Sequence, residues 1–289
     1  MDATNTGGER IDPKRGRPPE PLCKLPVFRP VSAQLLSALA NDDADIARVT
    51  QLLNSDPAFS AEILTVANSS LYARQSRIDR VQRAVMVLGI ERTRALAVTV
   101  ALHGMVRGIK SKGSGQDCWR HSRATAIAAQ YLAPFYRIHP EQAYTAGLMH
   151  DVGRLGMLSA YPEYPTLLAS AVGSAQDLLE KEQESFSVDH CEAGLWLTKL
   201  WGLPEEFWEA TARHHTPVTG EIGNRTDLVR LACVFAETLG YKAAPQLECW
   251  PPETLVESIP NRAYPRSRFS LDGLAERLQK ELDSDPSAA

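Results

Sequence analysis

The sequence has no CxxC pair, no apolar leader, no uninterrupted hydrophobic run of spanning length and no charge excess of either sign. Its five cysteines, Cys23, Cys118, Cys191, Cys233 and Cys249, are odd in number and widely scattered. Neither a disulfide framework nor a zinc knuckle is expected, and a reducing cytoplasm is the simplest location. The opening stretch MDATNTGGERIDPKRGRPPEPL has no apolar core, so no secretory signal is expected there. The most hydrophobic region, AVMVLGIERTRALAVTVALHGMV, is interrupted by Glu91, Arg92 and Arg94, and no membrane partner is expected. With 31 basic and 35 acidic residues the net charge is −4, which gives no global pull toward nucleic acid or anionic lipid. Alternating strand patterns and fixed-period repeats are also absent.

What is present is helical. A chain of 289 residues, 44% hydrophobic, suffices for one large or two modest domains around a sizeable core. Asp56 followed by Pro57 reads as an N-cap and first helical residue, and Phe59, Ile63, Val66 and Ala67 then recur at spacings of three and four. Gly89 punctuates two further helical stretches, and GIKSKGSGQD at 108–117 reads as the clearest break in the chain. Beyond it, Ala124, Ile127, Ala128, Tyr131, Leu132 and Phe135 share one face, Pro140 opens another helix, and others follow at 189–201, after Pro204 and at 226–240. The expected fold is all-α, with a polar, disordered tail at 1–21, an N-terminal helical subdomain at 22–107, a helical bundle at 113–244 and a Pro-rich extension at 245–289 that ends in an amphipathic helix. Within the tail, KRGRPP resembles the Arg-Gly-Arg-Pro core of an AT-hook, an arm for the minor groove of DNA. The four acidic and four basic residues of that tail cancel, so a solvated tail is the better reading and no nucleic-acid partner is expected.

The histidines carry the chemical signal. His121 precedes Ala124 and Ala128 by three and seven residues, which places it on the apolar face of its helix. His190 stands in the same relation to Ala193, Gly194 and Leu197, and His214 and His215 follow Thr211 by three and four. His150 and Asp151 sit in AGLMHDVGRLGML, among apolar and small residues. One inward histidine is ordinarily a hydrogen-bonded core residue. Five with a carboxylate, from several helices, are harder to satisfy separately, whereas a divalent cation satisfies several at once. Imidazole and carboxylate donors suit iron, manganese or zinc better than calcium. Cys118, three residues before His121, reads as a small hydrophobe.

This order of residues, His121 and then His150–Asp151, resembles the HD superfamily of metal-dependent phosphohydrolases. The text is similar in particular to the HDOD domain (HD-related output domain) of bacterial signalling proteins. The likeness is carried by LP at 25–26, DPAFSAEILTVANSSLY at 56–72, VQRAVMVLGIERTRALAV at 81–98, CWRHS at 118–122, AGLMHDVGRL at 146–155, DHCEAGLWLTKLWGLPE at 189–205 and HH at 214–215. It runs from about Leu25 to Gly240. The resemblance implies an HD-like helical bundle with an N-terminal helical subdomain, and a regulatory role usually without catalysis. Through the related HD-GYP enzymes, which degrade cyclic dinucleotides, it also implies His121, His150, Asp151, His190, His214 and His215 as metal ligands and Arg154 as a grip for phosphate. An arginine favoured by a helix-end dipole is the competing reading of Arg154.

Two departures from the enzymes bear on activity. The aspartate that closes the HD motif is replaced by Cys233 in LACVFAE, with Asp227 six residues earlier and expected to face elsewhere. After the double histidine the chain reads HHTPVTGEIGN, with Thr216 in place of a glutamate and no Gly-Tyr-Pro. Metal-assisted hydrolysis needs a full ligand set, an activated water and a grip on the phosphate, and the lost carboxylate weakens the first two. The expectation is therefore a non-catalytic signalling module that retains a divalent metal or only its vestigial ligands. It would act in trans on signalling proteins such as a diguanylate cyclase or a sensor kinase. The alternative is a metal-dependent phosphohydrolase acting on a nucleotide or cyclic dinucleotide.

Overall fold

Helices follow one another from end to end of the structure, a computed structural model that describes residues 18–25, 30–39, 44–68, 78–203, 205–216, 223–261 and 264–283. The basic arm at 14–17, Pro26, residues 69–72, Pro204 and residues 217–222 after the double histidine lie outside the described residues. The N-terminal half comprises α1 (Glu20–Cys23), α2 (Pro30–Ala38), α3 (Ile46–Asn54), α4 (Pro57–Ala67) and α5 (Val81–Val106). The second half is built from α6 (Lys112–Tyr136), α7 (Pro140–Met149), α8 (Val152–Ala160), α9 (Tyr164–Ser170), α10 (Ala175–Phe186), α11 (His190–Leu200), α12 (Trp208–Arg213) and α13 (Arg225–Thr238). Two more, α14 (Pro252–Glu257) and α15 (Leu271–Asp283), follow. Among the described residues there is no strand, only an isolated bridge between Gly173 and Leu247. No described helix is long and apolar enough to cross a membrane.

Local chemistry accounts for several boundaries. Asp56 caps α4 by accepting a hydrogen bond from the Ala58 amide at 2.8 Å, and Pro57 occupies the first turn. Gly89 interrupts the helical geometry of α5 at φ 78°, a conformation only glycine adopts without strain. The break expected at 108–117 is shorter than its composition suggests. α6 begins at Lys112, so Gly113, Ser114 and Gly115 of that stretch are already helical. Packing overrides propensity there: Ile109 is buried, and a Cβ at Gly115 would meet its side chain at 3.3 Å.

A continuous apolar core joins both halves, running from Leu35, Leu53 and Phe59 through Val98 and Leu102 to Ile127, Leu155 and Phe235. α6 is its axis and packs against α7, α8, α13 and α15. The C-terminal segment joins the same core: Leu274, Leu278 and Leu282 of α15 are buried, and Phe135 meets Tyr264 edge-on at 5.2 Å.

Two close helix contacts position the site. A Cβ at Gly147 would stand 2.9 Å from the backbone of Ala126, so α7 lies directly on α6. A Cβ at Gly153 would collide with the carbonyl oxygen of His190 and stand 2.6 Å from the Gly194 amide nitrogen, so α8 and α11 touch backbone to backbone.

Candidate metal centre

Each cluster residue is set by a different element. His121 lies in the middle of α6, His150 ends α7, His190 opens α11, His214 ends α12 and Cys233 faces inward from α13. Asp151 occupies the N-cap of α8, a position where aspartate ordinarily accepts a helix amide, yet its side chain makes no cap bond. It turns inward instead and is 1% exposed.

Backbone and carboxylate acceptors orient the imidazoles. His121 Nδ1 lies 2.8 Å from the Tyr241 carbonyl oxygen, and His150 Nδ1 lies 2.6 Å from that of Gly147. His214 Nδ1 lies 3.2 Å and 3.1 Å from the carbonyl oxygens of Ala210 and Thr211. His190 Nδ1 lies 2.6 Å from Glu182 Oε2. A ring nitrogen against such an acceptor is the one that donates to it, which turns the Nε2 edge of each ring inward. These atoms converge on Asp151: Oδ2 is 3.5 Å from His121 and 3.7 Å from His150, while Oδ1 is 3.6 Å from His190 and 3.3 Å from His214.

Such convergence is unfavourable without a positive charge among the donors. The Nε2 atoms of His121 and His150 face each other at 3.2 Å, and no proton lies between them when both rings donate through Nδ1. Asp151 is met by the Arg154 guanidinium at 2.8 Å on Oδ2 and by His214 Nε2 at 3.3 Å on Oδ1. Burial drives the pKa of His150 well below 6.5, and that of His214 below it too, against the attraction of Asp151, so both rings stay neutral. Burial alone would raise the pKa of Asp151, but the Arg154 guanidinium, assisted by the surrounding imidazoles, holds it well below the usual carboxylate range. Imidazoles anchored through Nδ1, with their Nε2 edges gathered round a carboxylate, are an arrangement suited to metal ligation.

Two donor groups result, the ligand atoms of each lying within 4.8 Å of one another: Asp151, His190, His214 and His215, and next to them His121, His150 and Cys233. All six metal-ligand candidates of the sequence therefore lie in one cluster. Cys233 joins them, its Sγ 3.6 Å from His121 Nε2. Asp227 is turned away, as expected, and accepts from the Gly223 amide at the start of α13.

Arg154 also lies inside the cluster. Its Nε is 2.8 Å from Asp151 Oδ2, and its Nη2 is 3.3 Å from His190 Nε2 and 3.5 Å from His215 Nε2. It sits in the first turn of α8, where the dipole opposes a cation, so the dipole explanation fails. Asp151 is what holds it there.

Sequence reasoning missed Glu182 and Tyr164. Glu182 Oε2 accepts both the backbone amide (2.9 Å) and Nδ1 of His190, while Oε1 accepts from the Tyr164 hydroxyl at 2.6 Å. α10 reads as a polar surface helix, and the one available signal was that Glu182 follows the buried Leu178 by four.

Comparison with known proteins places this geometry in context. The HDOD domain family matches residues 25–217. A solved structure of a candidate phosphohydrolase from Shewanella amazonensis SB2B is similar at 25% identity, with 90% of this chain and 91% of that one covered and a TM-score of 0.66. An HDOD domain protein with unknown function from Geobacter sulfurreducens shares the fold at 23% identity, covering 90% of this chain and 89% of that one, also with a TM-score of 0.66. An uncharacterized protein of Treponema pallidum (strain Nichols) is 23% identical over 189 residues, 63% of this chain. The match spans only 36% of that relative's length.

Proposed function

The chain belongs to the HDOD domain family, and on that premise we propose that it is a non-catalytic bacterial signal-transduction module. Its His–Asp centre serves as a structural site for a divalent ion, iron, manganese or zinc. Its helical surface acts on partner proteins in trans, in the cytoplasm, with a diguanylate cyclase or a sensor kinase as the class of target.

The observation that carries this reading is the state of Asp151. A hydrolytic centre needs a metal-bound water that a substrate phosphate can reach, with cationic groups free to grip that phosphate. Here Asp151 is 1% exposed, its charge is already engaged by Arg154 at 2.8 Å, and Arg154 is itself 1% exposed. His121, His150, His190 and His214 are fully buried. The thiol at position 233 supports the same reading, because it replaces the carboxylate that would help orient an attacking water.

The second reading is a metal-dependent phosphohydrolase acting on a nucleotide or cyclic dinucleotide. The convergence of all six ligand candidates favours it. One experiment separates the two. The purified protein is incubated with manganese or iron and a cyclic dinucleotide, and linear product is assayed. No turnover is expected. Turnover abolished by His150→Ala establishes the phosphohydrolase instead.

A further inference from the structure

Cys233 stands where the second reading needs a carboxylate, and its Sγ lies 3.6 Å from His121 Nε2, within one donor group with His121 and His150. The three donors His121 Nε2, His150 Nε2 and Cys233 Sγ come from α6, α7 and α13, all buried, and Asp151 Oδ2 faces the two imidazoles. Ordinary zinc bond lengths place two tetrahedral nitrogen or oxygen ligands about 3.3 Å apart, and a nitrogen and a sulfur about 3.6 Å apart. The observed separations are 3.2 Å between the imidazoles, 3.6 Å from Sγ to His121, and 3.5 and 3.7 Å from Asp151 to the two histidines. A protonated thiol serves one lone pair only, and the His121–His150 encounter presents two.

The neighbouring donor group already contains a cation. The Arg154 guanidinium reaches Asp151, His190 and His215 together, occupying space and charge that a second metal would need. We infer that the centre is a closed mononuclear zinc site ligated by His121, His150, Asp151 and the thiolate of Cys233, with Arg154 as the permanent cation of the other half. Zinc displaces the thiol proton, which leaves to solvent as the zinc–sulfur bond forms, and no oxidation state changes. A soft thiolate among imidazoles selects zinc over manganese, and four protein donors leave no position for a reactive water.

This inference rests on the proposed structural role of the centre and deepens it. The test begins with the unmodified full chain, stripped of metal and titrated with zinc and, separately, with cobalt(II). One zinc per chain is expected. The cobalt form is expected to show tetrahedral d–d bands with a thiolate-to-cobalt charge-transfer band. Cys233→Ser is expected to lose that band and to bind zinc roughly 100-fold more weakly. Cys233→Asp, which restores an oxygen donor, is expected to shift the preference toward manganese and serves as the second variant if the serine form does not fold. A cobalt spectrum without the thiolate band, or two tightly held zinc ions per chain, overturns the inference and leaves the non-catalytic reading standing. Absence of any metal binding overturns the inference and the structural metal role together. Turnover of a cyclic dinucleotide overturns the non-catalytic reading whatever the ligand set.

Discussion

Glu182 and His190 meet through two bonds to one carboxylate oxygen, which accepts the ring Nδ1–H at 2.6 Å and the backbone N–H at 2.9 Å. Tyr164 saturates the other oxygen at 2.6 Å. The triad fixes the tautomer of His190 from outside the cluster, an orienting role common around metal-binding imidazoles. Glu182→Gln weakens both acceptor bonds and is expected to destabilise the protein by about 1–3 kcal/mol. Tyr164→Phe, which removes one hydroxyl, is expected to cost about 1 kcal/mol. Urea denaturation of the metal-free forms checks both, and a glutamine variant as stable as the parent removes Glu182 from the support of the site.

The crossing of α8 and α11 admits no side chain at position 153. Gly153→Ala is expected to destabilise by about 3 kcal/mol or more, because the collision is with backbone that cannot rotate away. Gly113→Ala, where an added Cβ meets nothing within 4 Å, is the matched control and is expected to be neutral or slightly stabilising. Thermal melts of the two variants give the comparison.

Acid sensitivity follows from His150 and His214, whose pKa values burial lowers from 6.5. Near and below that pH the unfolded chain takes up protons that the folded chain refuses. The stabilisation associated with the neutral rings is therefore complete above pH 6.5 and declines as the pH falls from there toward the depressed folded-state values. Each such histidine steepens the decline by about 1.4 kcal/mol per pH unit. Unfolding free energies of the metal-free protein between pH 8 and 5 are expected to fall on the acid side, and His150→Gln to reduce that slope by one proton equivalent. An unchanged slope in the variant removes His150 as a source.

Arg154 and Asp151 form a buried pair in which either member alone is a liability. Arg154→Met leaves an uncompensated carboxylate and is expected to cost about 3–5 kcal/mol in the metal-free protein. The double variant Asp151→Asn/Arg154→Met is expected to recover a substantial part of that loss, and a double-mutant cycle measures the coupling. Simple additivity refutes the pairing.

The C-terminal helix is part of the core. Leu278 is fully buried, and Leu278→Ala is expected to destabilise the whole chain by about 2–5 kcal/mol in a single transition. A separate early transition confined to α15 contradicts this.

Helix type and the inward histidines were legible because they depend on short-range spacing. Pro57 and Pro140 opened helices where expected, and His121 and His190 lay on the faces their neighbours indicated. The resemblance to HDOD proteins supplied the order of the ligands. What stayed hidden depends on the approach of distant segments. The Tyr241 carbonyl lies 120 residues from the His121 ring it orients, and no local pattern links the two. Glu182 was masked by the polar residues around it in α10. The start of α6 is hidden in the same way, because its glycines and serine favour a break while the contact of Gly115 with Ile109 that holds the turn comes from the fold.

The bare contact of Gly153 with the start of α11 has an evolutionary corollary. The separation of the α8 and α11 backbones beside Asp151 and His190 is set by two main chains pressed together, so no rotamer change can widen it. A descendant that traded every histidine for leucine would still need the smallest residue at 153, and at 194, where an added methyl would strike Thr211. The glycine pair is thus a requirement of the crossing itself, independent of the ligands.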